Sequence, residues 1–143
     1  LERFKVDVLD KDPSCVVLMG GTNDLAQGYA KDKILSNIAA MAESAEALGM
    51  SVILCSVTPC NESHASLSNP STKGVHIIAL NEMIKAYALS KGFTYCDYWT
   101  STVAEDGLDL NPSFWLYDHL HPCPDCYTSL LEKIVKPLID ACL

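Results

Sequence analysis

Three short, mainly apolar runs constrain the fold of this chain more than any other feature. The runs occupy residues 15–19, 52–57 and 93–96. Helices are predicted at 1–10, 31–48, 75–91 and 124–139, and Leu48 and Leu89 are among the side chains expected on inward faces. Residues 60–73 predict a polar surface loop, and residues 98–117 an irregular stretch. The run at 15–19 is apolar at every position, so we expect it to be a strand buried on both faces, as strands of parallel sheets are. The alternation of strand and helix therefore predicts an α/β fold with three layers, in which helices cover both faces of a parallel sheet.

Chain length and net charge indicate the number of domains and exclude some classes of binding partner. The 143 residues have the length of one domain, so we expect a single domain over residues 1–143. The net charge is −8, and the ten Lys and Arg residues form no basic stripe, which argues against nucleic-acid binding. No run of 18 apolar residues is present, so no membrane span is predicted.

Polar residues follow the first apolar run directly. Ligand sites of open parallel sheets lie beyond the carboxyl ends of the strands, which draws attention to Gly21, Thr22, Asn23 and Asp24. Gly21 permits close approach of the backbone to a ligand. The Asn23 amide offers two N–H donors, which suit a developing oxyanion. The alternative is a plain tight turn, because Gly, Asn and Asp are turn residues.

A second polar motif precedes the last helix. Asp118, His119, Leu120, His121 and Pro122 follow one another there. An Asp and a His three residues apart in a loop can bring the carboxylate to the imidazole Nδ1, which fixes the tautomer and supports the imidazolium. Adjacent residues seldom form this bond, so His121 is preferred to His119. The alternative is a helix-capping Asp118 beside exposed histidines.

The two motifs together resemble the SGNH (GDSL-type) hydrolase family of esterases and acylhydrolases. Residues 21–24 are similar to the third sequence block of that family, and residues 118–122 are similar to its fifth block. Asn111-Pro112 and Tyr127 resemble the platelet-activating-factor-acetylhydrolase-like branch. The resemblance covers essentially the whole chain and implies the flavodoxin-like SGNH-hydrolase fold.

The resemblance also implies roles for individual residues. Asn23 would be an oxyanion-hole donor, His121 the general base and Asp118 the group that orients it. Gly21 and Asp24 would support the site, with Asp24 bracing the Asn23 loop. The implied activity is hydrolysis of a small-molecule ester by a Ser-His-Asp mechanism, without a metal or another cofactor.

The chain departs from the family where the nucleophile is expected. The first family block supplies the Ser and the second a Gly donor, and both precede the third block. Only 20 residues precede Gly21, and neither Gly-Asp-Ser nor Gly-x-Ser-x-Gly occurs. Gly49-Met50-Ser51 lies at the start of a strand, at the wrong end of the sheet. We therefore expect an N-terminally truncated domain that lacks its first strands and is inactive alone.

Two other kinds of site are compatible with parts of the sequence. His119, His121, Cys123 and Cys126 are four good zinc ligands, although their spacing matches no zinc finger. Cys123 and Cys126 alone have the spacing of a redox pair at a helix N-terminus, or they simply begin the last helix. A non-catalytic ligand-binding remnant would use the aromatic residues of the stretch 98–117.

The seven cysteines have an odd count and scattered spacing, which favours a reducing compartment over a disulfide framework. Cys15, Cys55 and Cys96 lie inside apolar runs and are expected to be buried and reduced. Without the first strand of the resembled fold, the run at 15–19 keeps an open edge. Open apolar edges recruit other chains, so we expect self-association through this strand or stabilisation by a partner fragment.

Overall fold

A computed structural model describes residues 2–60, 74–114, 116 and 120–143. Its sheet has three parallel strands in the spatial order β1 (Cys15–Leu18), β2 (Ser51–Cys55) and β3 (Thr94–Cys96). The α-helices are α1 (Phe4–Asp7), α2 (Thr22–Ala26), α3 (Lys31–Glu46), α4 (Gly74–Lys91), α5 (Tyr98–Thr102), α6 (Pro124–Leu130) and α7 (Lys136–Cys142). Short 3₁₀ turns lie at Leu9–Lys11 and Pro112–Phe114, and a π-helical turn at Leu131–Val135 joins α6 to α7.

One face of the sheet is covered by α3 and α4. Alternate residues of the strands point to this face, among them Val16, Val52 and Leu54, and they pack against buried side chains such as Ile34 and Ile84. Gly49, with φ +82°, ends the turn after α3 and lets the chain enter β2. This face holds the larger of the two hydrophobic clusters.

The opposite face is covered by the helical run from α6 to α7. Ile53, Cys55 and Cys96 point to this face and contact Val135 and its neighbours in the C-terminal run. Ser51 Oγ donates a hydrogen bond to the Cys142 carbonyl at 3.0 Å, which fixes the end of α7 beside the start of β2. Helices therefore lie on both faces of a parallel sheet, and the predicted three-layer α/β fold is confirmed.

The predicted element bounds differ from the structure in detail. The helix predicted at the start of the chain is only one turn, α1, followed by a 3₁₀ turn. Leu48 and Leu89, expected on inward helix faces, are 60% and 67% exposed. The buried stripe of α4 instead includes Ile77 and Leu80, because the helix is rotated relative to the predicted face. The short α5 lies in a stretch predicted to be irregular.

The prediction of burial on both faces is wrong for β1. Val17 is 36% exposed and Met19 53% exposed, and Cys15 is half-buried rather than buried. Cys55 and Cys96 are buried as predicted, and all three thiols are free. The reason is position: β2 has a strand on each side, whereas no strand among the described residues pairs with β1 on its other side.

Two further observations bear on the sequence predictions. The polar loop expected at 60–73 falls almost entirely on residues 61–73, outside the described residues. Among the residues that the structure describes, no helix is long and apolar enough to cross a membrane.

Candidate active site

A cavity of about 790 Å³ lies at the carboxyl ends of the strands. Residues that follow each strand reach it: Gly20 and Gly21 after β1, Thr58 after β2 and Tyr98 after β3. Tyr127, Leu130 and Val135 of the C-terminal helical run also line the cavity. The cavity therefore occupies the place where the topology of a parallel α/β sheet predicts a ligand site.

Gly21 connects β1 to α2 in a conformation that a side chain disfavours. Its φ is +127°, and a Cβ there would lie 3.0 Å from Leu80 Cδ2, 3.3 Å from Ile34 Cγ2 and 3.4 Å from Val57 Cγ2. The Gly21 carbonyl accepts a hydrogen bond from the Leu25 N–H at 2.9 Å, and Leu25 is fully buried. The start of α2 is thereby held against the core.

Because the start of α2 is held against the core, Asn23 and Asp24 are placed at the cavity. Asn23 is exposed, Asp24 is half-buried, and both line the cavity together with Gly21 and Thr22. The structure thus brings the three residues predicted from the first motif to one wall. An exposed amide on a short helix pinned by a buried Leu is suited to donate N–H groups into the cavity.

The segment that follows β2 is held by Asn81, a residue that the sequence analysis did not single out. The Val57 N–H donates to Asn81 Oδ1 at 2.7 Å, and Asn81 Nδ2 donates to the Val57 carbonyl at 3.0 Å. Asn81 is only 5% exposed. The Val57 side chain packs beside Gly21, so Asn81 positions the two loops that carry Thr58 and Asn23. The detectable signal was an Asn within an otherwise apolar helix face.

His121 lies on the opposite part of the cavity, exposed and beside Leu120 and Pro122. Two main-chain hydrogen bonds hold its segment in place. The Leu116 N–H donates to the His121 carbonyl at 2.9 Å, and the Cys123 N–H donates to the Phe114 carbonyl at 2.7 Å. The structure therefore brings His121 to the same cavity as Asn23. Asp118 and His119 lie outside the described residues.

The remaining wall of the cavity is apolar. Val17, Met19, Leu130 and Val135 line it, and Tyr127 borders it. This wall adjoins the unpaired side of β1. The side-chain hydroxyls among the described lining residues belong to threonines and tyrosines, and no serine is among them.

The structure also bears on the two other kinds of site. Over the described part of the chain, no three His, Cys, Asp or Glu side chains come together as a metal site would require. The half-buried Trp99 side chain packs against the core, so it does not form an open aromatic platform. The Trp99 backbone N–H donates to Ser56 Oγ at 2.8 Å. Trp115 lies outside the described residues.

Comparison with known proteins agrees with this geometry. The sequence profile of the GDSL-like lipase/acylhydrolase family matches residues 1–128. The chain belongs to this family. Membership confirms the resemblance drawn from the motifs at Gly21–Asp24 and Asp118–Pro122, and it agrees with the α/β architecture. No curated protein matches the chain.

Solved structures of family proteins superpose closely on the chain. A GDSL-like lipase from Bacteroides thetaiotaomicron is 34% identical with a TM-score of 0.90, and the match covers 99% of this chain and 69% of that one. A protein from Bacteroides fragilis assigned as an acylhydrolase is 32% identical with a TM-score of 0.86, covering 98% and 67%. TesA, at 22% identity, has the same fold with a TM-score of 0.75, covering 99% and 71%.

Proposed function

We propose that this site hydrolyses carboxylic esters by acyl transfer to a serine. The observation that carries the proposal is the placement of Asn23 and His121 on one cavity in a chain of the GDSL-like lipase/acylhydrolase family. The apolar wall of Val17, Met19 and Leu130 offers a surface for the acyl group. An amide donor and an imidazole are two of the groups that acyl transfer to a serine uses, the third being the serine itself.

The proposed roles follow from the chemistry of each group. His121 removes the proton of the attacking hydroxyl and later returns it to the leaving group. Asp118 orients the imidazole and stabilises its protonated form. Asn23 donates hydrogen bonds to the oxyanion of the tetrahedral intermediate, held in place by Gly21 and braced by Asp24.

The nucleophile in this proposal comes from a segment outside the 143 residues. No Gly-Asp-Ser occurs in the chain, and no serine is among the described residues lining the cavity. Just under one third of each Bacteroides neighbour has no counterpart in the match, so those proteins contain additional chain. Loss of a triad member leaves only the residual catalysis of the oxyanion hole and binding, a decrease of several powers of ten.

The test is a hydrolysis assay with a short-chain aryl ester. The chain alone should give no rate above that of His121→Ala. The chain joined at its N-terminus to a segment bearing Gly-Asp-Ser should hydrolyse the ester, and this activity should be lost in His121→Ala and when the added serine is replaced by alanine. A high rate for the chain alone that is lost in His121→Ala would show another nucleophile and refute the assignment of an external serine.

The proposed binding place of the Ser-bearing segment is the outer side of β1. β1 has no strand on its outer side among the described residues, and Val17 and Met19 next to that side are exposed. Both line the cavity. We propose that the chain alone self-associates through this edge, and that an added Ser-bearing segment covers the edge and prevents self-association.

Light scattering tests this second proposal. The chain alone should form dimers or larger species, and Val17→Lys should reduce their fraction because a charge on an edge strand opposes pairing. Leu89→Lys is the matched control, since Leu89 is exposed on α4 away from this edge. A monomeric chain with a cooperative melt, or equal effects of the two lysines, would contradict it.

A further inference from the structure

Cys123 directly follows the His121-Pro122 dipeptide, and Cys126 lies three residues further on, at a spacing that permits a disulfide. The Tyr127 N–H donates to the Cys123 carbonyl at 3.1 Å, so Cys123 immediately precedes the first turn of α6, and Cys126 lies within that turn. Residues three apart on a helical turn have Cα atoms about 5 Å apart. Disulfides join Cα atoms separated by about 4.4 to 6.8 Å.

The two thiols differ in exposure. Cys123 is half-buried, with its sulfur 3.9 Å from the Ser113 carbonyl oxygen. Cys126 is 2% exposed and lines a small cavity of about 270 Å³ with Phe114 and Ile134. Burial raises the pKa of the Cys126 thiol, and the nearby Cys123 raises it further. One accessible sulfur beside one enclosed sulfur is the arrangement in which the first attacks a disulfide in solution and the second resolves the mixed disulfide.

The other cysteines of the described chain do not combine these features. Cys55 and Cys96 face each other on paired strands, but both are at most 1% exposed, so no reagent in solution reaches them. Cys142 is half-buried with its sulfur 3.6 Å from Thr94 Oγ1 on the far side of the molecule from His121. Cys15 and Cys142 are near each other, but both are half-buried. Cys123 and Cys126 are therefore the neighbouring pair that combines an accessible sulfur with an enclosed one.

We propose that Cys123 and Cys126 form a reversible dithiol–disulfide pair that reacts with low-molecular-weight disulfides such as oxidised glutathione. The Cys123 thiol loses its proton, and its sulfur attacks one sulfur of glutathione disulfide, whose S–S bond breaks to release one glutathione thiolate. The Cys126 sulfur, deprotonated in turn, attacks the mixed disulfide at Cys123 and releases the second glutathione. Two protein thiols are oxidised, one glutathione disulfide is reduced, and the two protons pass to the released thiolates.

The Cys123–Cys126 pair lies next to the loop that contains His121. The Cys123 N–H bond to the Phe114 carbonyl and the Leu116 N–H bond to the His121 carbonyl close the base of the loop that contains His121. A disulfide from Cys123 to Cys126 fixes one side of that base to the first turn of α6. Oxidation therefore changes the surroundings of the His121 ring. This proposal does not depend on ester hydrolysis.

The experiment uses the full chain, reduced and then equilibrated with mixtures of oxidised and reduced glutathione. After acid quenching and alkylation of free thiols, cleavage after Glu105 and Glu132 releases residues 106–132, in which Cys123 and Cys126 are the only cysteines. This peptide should carry two alkyl groups when the chain is reduced. As the mixture becomes oxidising it should carry none, with a mass two hydrogens below that of the unalkylated dithiol, and both alkyl groups should return under reduced glutathione. Cys126→Ala should stop at glutathione bound to Cys123, and Cys142→Ser should behave as the unchanged chain.

Each outcome decides the proposal. Retention of both free thiols in the peptide, a persistent mixed disulfide in the unchanged chain, or a disulfide to another cysteine would overturn it. The imidazole NMR signals of the chain provide the second readout. The His121 signal, assigned by its loss in His121→Ala, should shift between the reduced and oxidised chain, and an unchanged signal would overturn the connection to the loop.

Discussion

Replacing Gly21 with alanine tests how the first site motif is built. The backbone at Gly21 has φ +127°, a region that residues with a side chain disfavour by about 1 to 3 kcal/mol. The added Cβ would also lie 3.0 Å from Leu80 Cδ2 and 3.3 Å from Ile34 Cγ2, which is closer than packed carbon atoms normally approach. Inserting a methyl group into such a packed position costs about 1 to 3 kcal/mol.

The two effects together lower the free energy of unfolding by about 2 to 6 kcal/mol. For a domain of this length, 1 kcal/mol corresponds to about 3 °C in Tm, so Gly21→Ala should melt about 6 to 18 °C below the unchanged chain. Gly20→Ala is the matched control, because nothing lies within 4 Å of a Cβ at the neighbouring position. Its free energy of unfolding should change by at most about 1 kcal/mol.

Urea unfolding and thermal melts of the three proteins measure the difference. The loss in Gly21→Ala should appear as a lower urea midpoint with an unchanged slope, because the same surface is exposed on unfolding. If Gly21→Ala loses no more stability than Gly20→Ala, the tight packing of the β1–α2 turn against α4 is refuted. The same result would show that this turn does not hold Asn23 in place.

Two more predictions concern buried polar groups. Asn81→Leu leaves the Val57 N–H and carbonyl without their partner and should lower the free energy of unfolding by about 2 to 5 kcal/mol, whereas Asn23→Ala should have little effect. Equal urea midpoints for the two variants would contradict this. In native thiol labelling, Cys60 should react far more slowly than Cys123, because burial raises the pKa of Cys60 to about 12 and leaves its thiol protonated at neutral pH. Labelling of Cys60 at the rate of Cys123 at pH 7 would show that this burial is wrong.

The fold class was predictable because it depends on local patterns. Apolar runs too short for helices, separated by amphipathic stretches, leave few arrangements besides a parallel sheet between helices. Once the sheet is parallel, the carboxyl ends of the strands meet at one edge, so the position of Gly21 and Asn23 at a cavity on that edge also followed. The rotation of α4 did not follow, because several faces of that helix are apolar and only packing against the sheet selects Ile77 and Leu80.

Sequence alone determined the family, since the motifs around Asn23 and His121 that indicate it are short and local. Tertiary structure decided which wall of the cavity each residue occupies, and it revealed Asn81, whose partner Val57 is 24 positions away. The exposure of Val17 was likewise not predictable from the sequence, because an apolar strand has the same composition at the centre of a sheet and at its edge. Which of the two it becomes depends on the strands beside it, and neighbouring strands are a property of the folded chain.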